Sequence, residues 1–174
     1  MRKTTALALL PLLALAALPT AHAASGSAAQ AADVLLPSCA EEDVVVEARQ
    51  LPPVAAAVIL VRVTSDAEES CTIDRFPTVT FFGLDGSAMP EPPASSAPYV
   101  LVPDGEAFAA VSTDDRSGNA RYVPALNVAA DPAHLGTVFT ADEIEAPETG
   151  IAVYDPITTW WHATPDDAVA ALPR

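Results

Sequence analysis

Apolar positions along this chain recur with a period of two in short runs, and strand-breaking residues separate the runs. In "VAAAVILVRVTS", residues 54–65, Ile59, Val61 and Val63 fall on one face and Arg62 on the other. That alternation is what a half-buried strand needs. "DVVVEARQL" at 43–51 is a similar run and stops at Pro52-Pro53. "TVTFFGL" at 78–84 puts Val79 and Phe81 on one face, and Asp85-Gly86 after it reads as a two-residue turn. Runs at 99–102, 106–112 and 120–128 follow, separated by "PDG" and "DDRSGN"; "GIAVYD" and "ITTWWHAT" close the series. "SDAEES" followed by Cys71-Thr72-Ile73 reads as a hairpin returning on the strand before it. Short strands at near-regular spacing predict an all-β fold, an Ig-like antiparallel β-sandwich, with a small barrel as the alternative.

Proline modifies this pattern in two places. "PEPPASSAP" at 90–98 can form neither helix nor central strand, so it crosses between sheets or follows an edge. Pro124 pushes its own strand to an edge or a bulge. Helix signals are confined to two short stretches. Thr140 with Glu143 three residues later is a capping box for one short helix over 140–146. Thr164, Pro165 and the acids Asp166 and Asp167 open a terminal turn or two.

The first residues follow another logic. Met1-Arg2-Lys3 is positive, residues 6–18 are apolar, and Ala21-His22-Ala23 is a small-x-small cleavage site after Pro19. This order predicts a secretory signal peptide over 1–23, its apolar run being shorter than the ~20 residues of a membrane span. The small, polar stretch after it predicts a flexible N-terminal segment over 24–37. Residues 38–174 then make a single β-sandwich domain. Loss of Arg2 and Lys3 moves the formal charge from −15 to −17, six arginines against 23 acids. Such a surface is a poor partner for nucleic acid or for anionic membranes.

Cys39 and Cys71 are the two cysteines of the chain. In a secreted chain two cysteines are expected to pair, and closing a loop of roughly 30 residues would stabilise the fold by about 3–4 kcal/mol. A free thiol and a metal ligand are the alternatives. A reactive thiolate needs positive surroundings, whereas Glu68, Glu69 and Asp74 flank Cys71 and Arg75 alone opposes them. Zinc needs about four ligands, and no CxxC or HxxxH spacing supplies them.

The segments around these cysteines, "VRVTSDAEESCTIDRFPTVTFFGLDG", "LVPDGEAFAAV" and "ALNVAADP", resemble a bacterial family of secreted domains of unknown function, number four-two-three-two. Its pattern is an early Cys, a strand ending in Thr-Asn, then Cys-Thr-Leu-x-Gly-Tyr-Pro. The similarity runs over residues 39–132. Ser65 stands where the family usually has Asn and Arg75 where it has Gly, and a further C-terminal cysteine pair of many relatives is missing. The resemblance implies an extracytoplasmic β-sandwich and carries no activity to any residue.

Catalytic patterns are sparse. After residue 23 the histidines are His134 and His162, and neither GxSxG nor SxxK occurs. The adjacent acids Glu41-Glu42, Glu68-Glu69, Asp114-Asp115, Asp142-Glu143 and Asp166-Asp167 read as solvated turn residues. For a metal, the best candidate is Ca²⁺ in "TDDRSGN", from Asp114, Asp115 and Asn119. Trp160 and Trp161 are candidate ligand contacts: neighbours on a strand face opposite ways, so one indole fills the core while the other meets solvent. Together these features predict a secreted, non-enzymatic module without a cofactor, binding or supporting an unidentified partner at the cell envelope. The alternatives are a carboxylate-dependent extracellular hydrolase and a Ca²⁺-dependent binding or adhesion module.

Overall fold

The computed structural model describes residues 35–52, 57–93, 97–114 and 118–173. The expected signal peptide and residues 24–34 of the segment after it lie outside these. The described chain is all-β with one short helix. Its strands are β1 (Val44–Gln50), β2 (Val58–Ser65), β3 (Cys71–Ile73), β4 (Thr78–Phe81), β5 (Met89–Pro90) and β6 (Tyr99–Leu101). There follow β7 (Glu106–Ser112), β8 (Arg121–Val123), β9 (Ala125–Ala129), β10 (Thr137–Thr140), β11 (Ile151–Val153), β12 (Ile157–Thr158) and helix α1 (Pro165–Ala170).

Among the described residues, one layer is a five-stranded sheet in the order β1-β2-β7-β12-β5, antiparallel except for the parallel β12–β5 pair. The facing layer is split into three short sheets, β10-β9-β4, β11-β8 and β3-β6. Ile59, Val61 and Val63 of β2 pair in register with Val111, Ala109 and Ala107 of β7, so one face of the large sheet is continuously apolar. It packs against Val79, Phe81, Leu126, Val128, Ile73, Leu101 and Ile151 of the facing layer. Removing this apolar area from water is the main force holding the layers together. The outer face of the same sheet carries Arg62, which is paired with Glu47 of β1 and, at 3.0 Å, with Glu106 of β7. Farther along that face Leu60 and Ala110 are covered by Ala168 of α1. The helix starts as its residues dictate: the Thr164 hydroxyl accepts from the Asp167 backbone N–H at 3.2 Å and Pro165 occupies the first turn.

Four expectations are corrected. Cys71–Ile73 is no hairpin return on β2; it crosses to the other layer and pairs with β6. The Cys71 side of this strand is tied to Cys39 by a disulfide whose Cα atoms are 4.9 Å apart. Covalent linkage to the N-terminal segment and burial of Ile73 outweigh the local hairpin tendency of "SDAEES". The Asp85-Gly86 turn is part of a wider loop, because Thr80 already bridges to Ser87. Gly86 nonetheless takes the left-handed φ of 88° for which glycine suits it. Residues 120–128 are two strands: Pro124 lacks an N–H, the chain turns there, and β8 joins β11 while β9 joins β4 and β10. Finally, the capping box at Thr140 forms, but turns follow it instead of a helix. Ile144 is drawn into the core and Glu145 adopts φ 61°, which ends any helical path.

Candidate functional site

Two surface regions of the described residues bear on ligand contact. The first grows from the break at Pro124. Val123 of β8 turns into the core and leaves Tyr122 outside, 62% exposed. The Pro124 carbonyl accepts from Ala141 N–H at 2.8 Å, which fixes the start of the loop 141–150 beside that ring. The capping box then holds the loop. Backbone N–H and hydroxyl of Thr140 both donate to Glu143 Oε2, at 2.7 and 2.8 Å. These bonds, the backbone one foremost, hold the Glu143 carboxyl below its ordinary value. The Ile144 carbonyl accepts from Gln50 N–H at 2.8 Å, and Ala146 N–H returns to the Ala141 carbonyl at 2.8 Å. Gly150 closes the loop against β8 with φ 97°; a Cβ there would meet the Val123 carbonyl oxygen at 2.6 Å.

The loop and β8 thereby enclose an open groove of about 700 Å³, with Tyr122, Thr140, Asp142, Glu148 and Thr149 on its walls. A second hollow of about 320 Å³ adjoins it. The two share Tyr122, Pro147, Thr149 and Gly150, and the second adds Gln50 and Asp114. The Asp114 backbone bridges to Tyr154, and its Oδ1 atom is buried with no hydrogen-bond partner among the described residues. Among the described residues every ionisable side chain lining either hollow, tyrosine aside, is an acid.

The second region surrounds the tandem tryptophans. Thr158 pairs with Val111 and His162 with Phe108, so Thr159, Trp160 and Trp161 face only Ala109 and Ala110. The extra residue is a β-bulge. The Thr159 hydroxyl accepts from Ala110 N–H at 2.9 Å and keeps that donor satisfied across the bulge. Trp161 is driven into the core, 1% exposed, with its indole N–H buried and unpartnered among the described residues. It therefore has no surface to offer a ligand. Trp160 is half-buried: its indole N–H donates to the Pro92 carbonyl at 3.0 Å, and the Arg75 guanidinium lies 4.6 Å from its ring centroid. The Arg75 carbonyl accepts from Trp161 N–H at 3.0 Å. The unexpected arginine thus covers a ring that a glycine would leave bare. His162, partly buried beside this pair, has its pKa lowered by desolvation and by Arg75, with Asp167 opposing.

The remaining candidates are dispersed. His134 Nε2 lies 3.1 Å from the Cys39 carbonyl oxygen, and Glu41 accepts from Gly136 N–H at 2.8 Å. The Leu135 and Gly136 amides lower the Glu41 carboxyl pKa. These contacts tie the 131–136 turn to the disulfide. Of the Ca²⁺ set, Asp115 lies outside the described residues, Asp114 lines the smaller hollow, and Asn119 is engaged in an interaction ahead of β8. Among the described residues no group of three or more His, Cys, Asp or Glu side chains is placed to hold a metal ion. Nor is any described helix long and apolar enough to cross a membrane. Tyr122 and Glu148 were not singled out from the sequence. The available signal was an exposed aromatic on a strand ended by proline, ahead of an acid-rich loop.

Fold and surface define a disulfide-tied β-sandwich with an open, acidic groove beside an exposed tyrosine. A family model described as "Domain of unknown function (DUF4232)" matches residues 39–161. The chain belongs to that family. The matched region starts at the first cysteine of the disulfide, ends at the core tryptophan, and contains the whole 141–150 loop while leaving out α1. No curated protein and no solved structure matches the chain.

Proposed function

We propose that this protein is a non-catalytic binding module working outside the cytoplasm, with the Tyr122 groove as its ligand-facing surface. The observation that carries the reading is the exposed phenol in a groove of about 700 Å³ whose loop is pinned at both ends. A rigid cleft with an aromatic anchor and a few polar groups is the usual form of a recognition site. The secretory pattern at residues 1–23 and the Cys39–Cys71 disulfide support an oxidising location and a partner at the cell envelope.

The test is co-sedimentation with isolated cell envelopes. The secreted protein is expected to pellet, and the Tyr122→Ala variant, with an unchanged melting temperature, to stay in the supernatant. Equal pelleting of the two would remove the groove from the reading. Hydrolysis of an envelope polymer by the wild type, lost in Asp142→Asn/Glu148→Gln, would replace the module with a carboxylate hydrolase.

A further inference from the structure

We infer that the Tyr122 groove takes a basic, extended polypeptide segment, whose lysine or arginine side chains meet Asp142 and Glu148 on one side of the ring and Asp114 on the other. The inference rests on the reading of this groove as the binding surface and adds the class of ligand. Charge complementarity is the first argument. Among the described residues no arginine or lysine lines either hollow, and both contribute carboxylates. The chain as a whole carries −15, which draws cations toward it from a distance.

The second argument is the state of the individual groups. Buried acceptors are normally hydrogen-bonded, yet Asp114 Oδ1 has no partner among the described residues, and the residue lines the smaller hollow. A donor arriving through that hollow is the missing partner. The Tyr122 ring is uncovered, and an aromatic face attracts an ammonium or guanidinium group. The third argument is extent. The two hollows meet at Tyr122, so satisfying acids in both takes a ligand with cationic groups on either side of the ring. A basic peptide chain has that form; a neutral oligosaccharide could stack on the ring but would leave the carboxylates without a counter-charge.

The experiment is fluorescence anisotropy with a labelled oligoarginine peptide, against an oligoglutamate peptide and a neutral oligosaccharide. Because an acidic protein attracts polycations unspecifically, the comparison is between charge-matched variants. Asp142→Asn/Glu148→Gln and Tyr122→Ala are each expected to weaken peptide binding by about tenfold. Glu68→Gln/Glu69→Gln removes the same charge from a loop away from the groove and is expected to change it by less than about twofold. Equal weakening in both acid pairs, or no measurable peptide binding, overturns the inference. Tyr122-dependent binding of the oligosaccharide instead of the peptide overturns the cationic ligand alone and leaves the binding module standing. Envelope association indifferent to Tyr122 removes the groove from the reading and this inference with it.

Discussion

Trp160 and Tyr122 are both aromatic side chains at the surface of this sandwich, and their circumstances differ. Trp160 has its N–H committed to Pro92 and its ring covered by Arg75. Tyr122 stands 62% exposed at the meeting of two hollows. An aromatic residue is available to a ligand only when its face and polar tip are not already engaged by the protein. By that criterion the tandem tryptophans, the more conspicuous feature of the sequence, belong to the architecture, and Tyr122 is the candidate contact.

The comparison can be broken most forcefully through stability. Trp161→Ala should cost about 3–5 kcal/mol in urea unfolding, because it empties a large core site, while Tyr122→Ala should stay within about 0.5 kcal/mol. Similar losses at the two positions would mean that Tyr122 is itself structural. A smaller effect is expected at the covered ring. Arg75→Gly should lower stability by about 0.5–1 kcal/mol and shift tryptophan emission to longer wavelength as Trp160 meets water. An unaltered spectrum would show that the arginine does not shield the indole.

The smallest effect concerns pH. His162 has a folded-state pKa below its ordinary 6.5, so folding favours the neutral ring. Its contribution is complete above 6.5 and is lost as pH falls through the lower folded value, because the unfolded chain binds the proton first. The melting temperature should therefore decline in this window in the wild type, and less so in His162→Gln. Parallel curves for the two proteins would assign the decline to other groups.

Much of the fold was legible in short-range pattern. The alternation of Ile59, Val61 and Val63 against Arg62 describes β2 as observed, and Thr164-Pro165 with two acids marks the start of α1. Pro90 sits in an edge strand, where its missing N–H costs no ladder bond. Pattern failed where a local signal competed with a long-range demand. The turn-forming "SDAEES" lost to the disulfide and to burial of Ile73 in the opposite layer. The capping box of Thr140 and Glu143 formed, yet the pull of Ile144 into the core left no room for a helix after it.

The candidate site was less legible than the fold. Asp114 and Asp142 were visible as members of acidic pairs, but nothing in their spacing placed them around Tyr122. The β-bulge at Thr159–Trp161 was equally hidden, since it depends on which residues of β7 lie opposite.

By itself, then, the sequence determined the all-β class, the faces of the main strands, the cysteine partnership and the terminal helix cap. Each of these follows from side-chain period, backbone geometry or covalent chemistry acting over a few residues or between two reactive groups. Which strand pairs with which, which tryptophan is buried, why Arg75 is accommodated, and where an exposed aromatic ring meets acidic side chains were decided by the tertiary structure. These depend on contacts between residues far apart in the chain, whose energies exist only once the layers have closed on their common core.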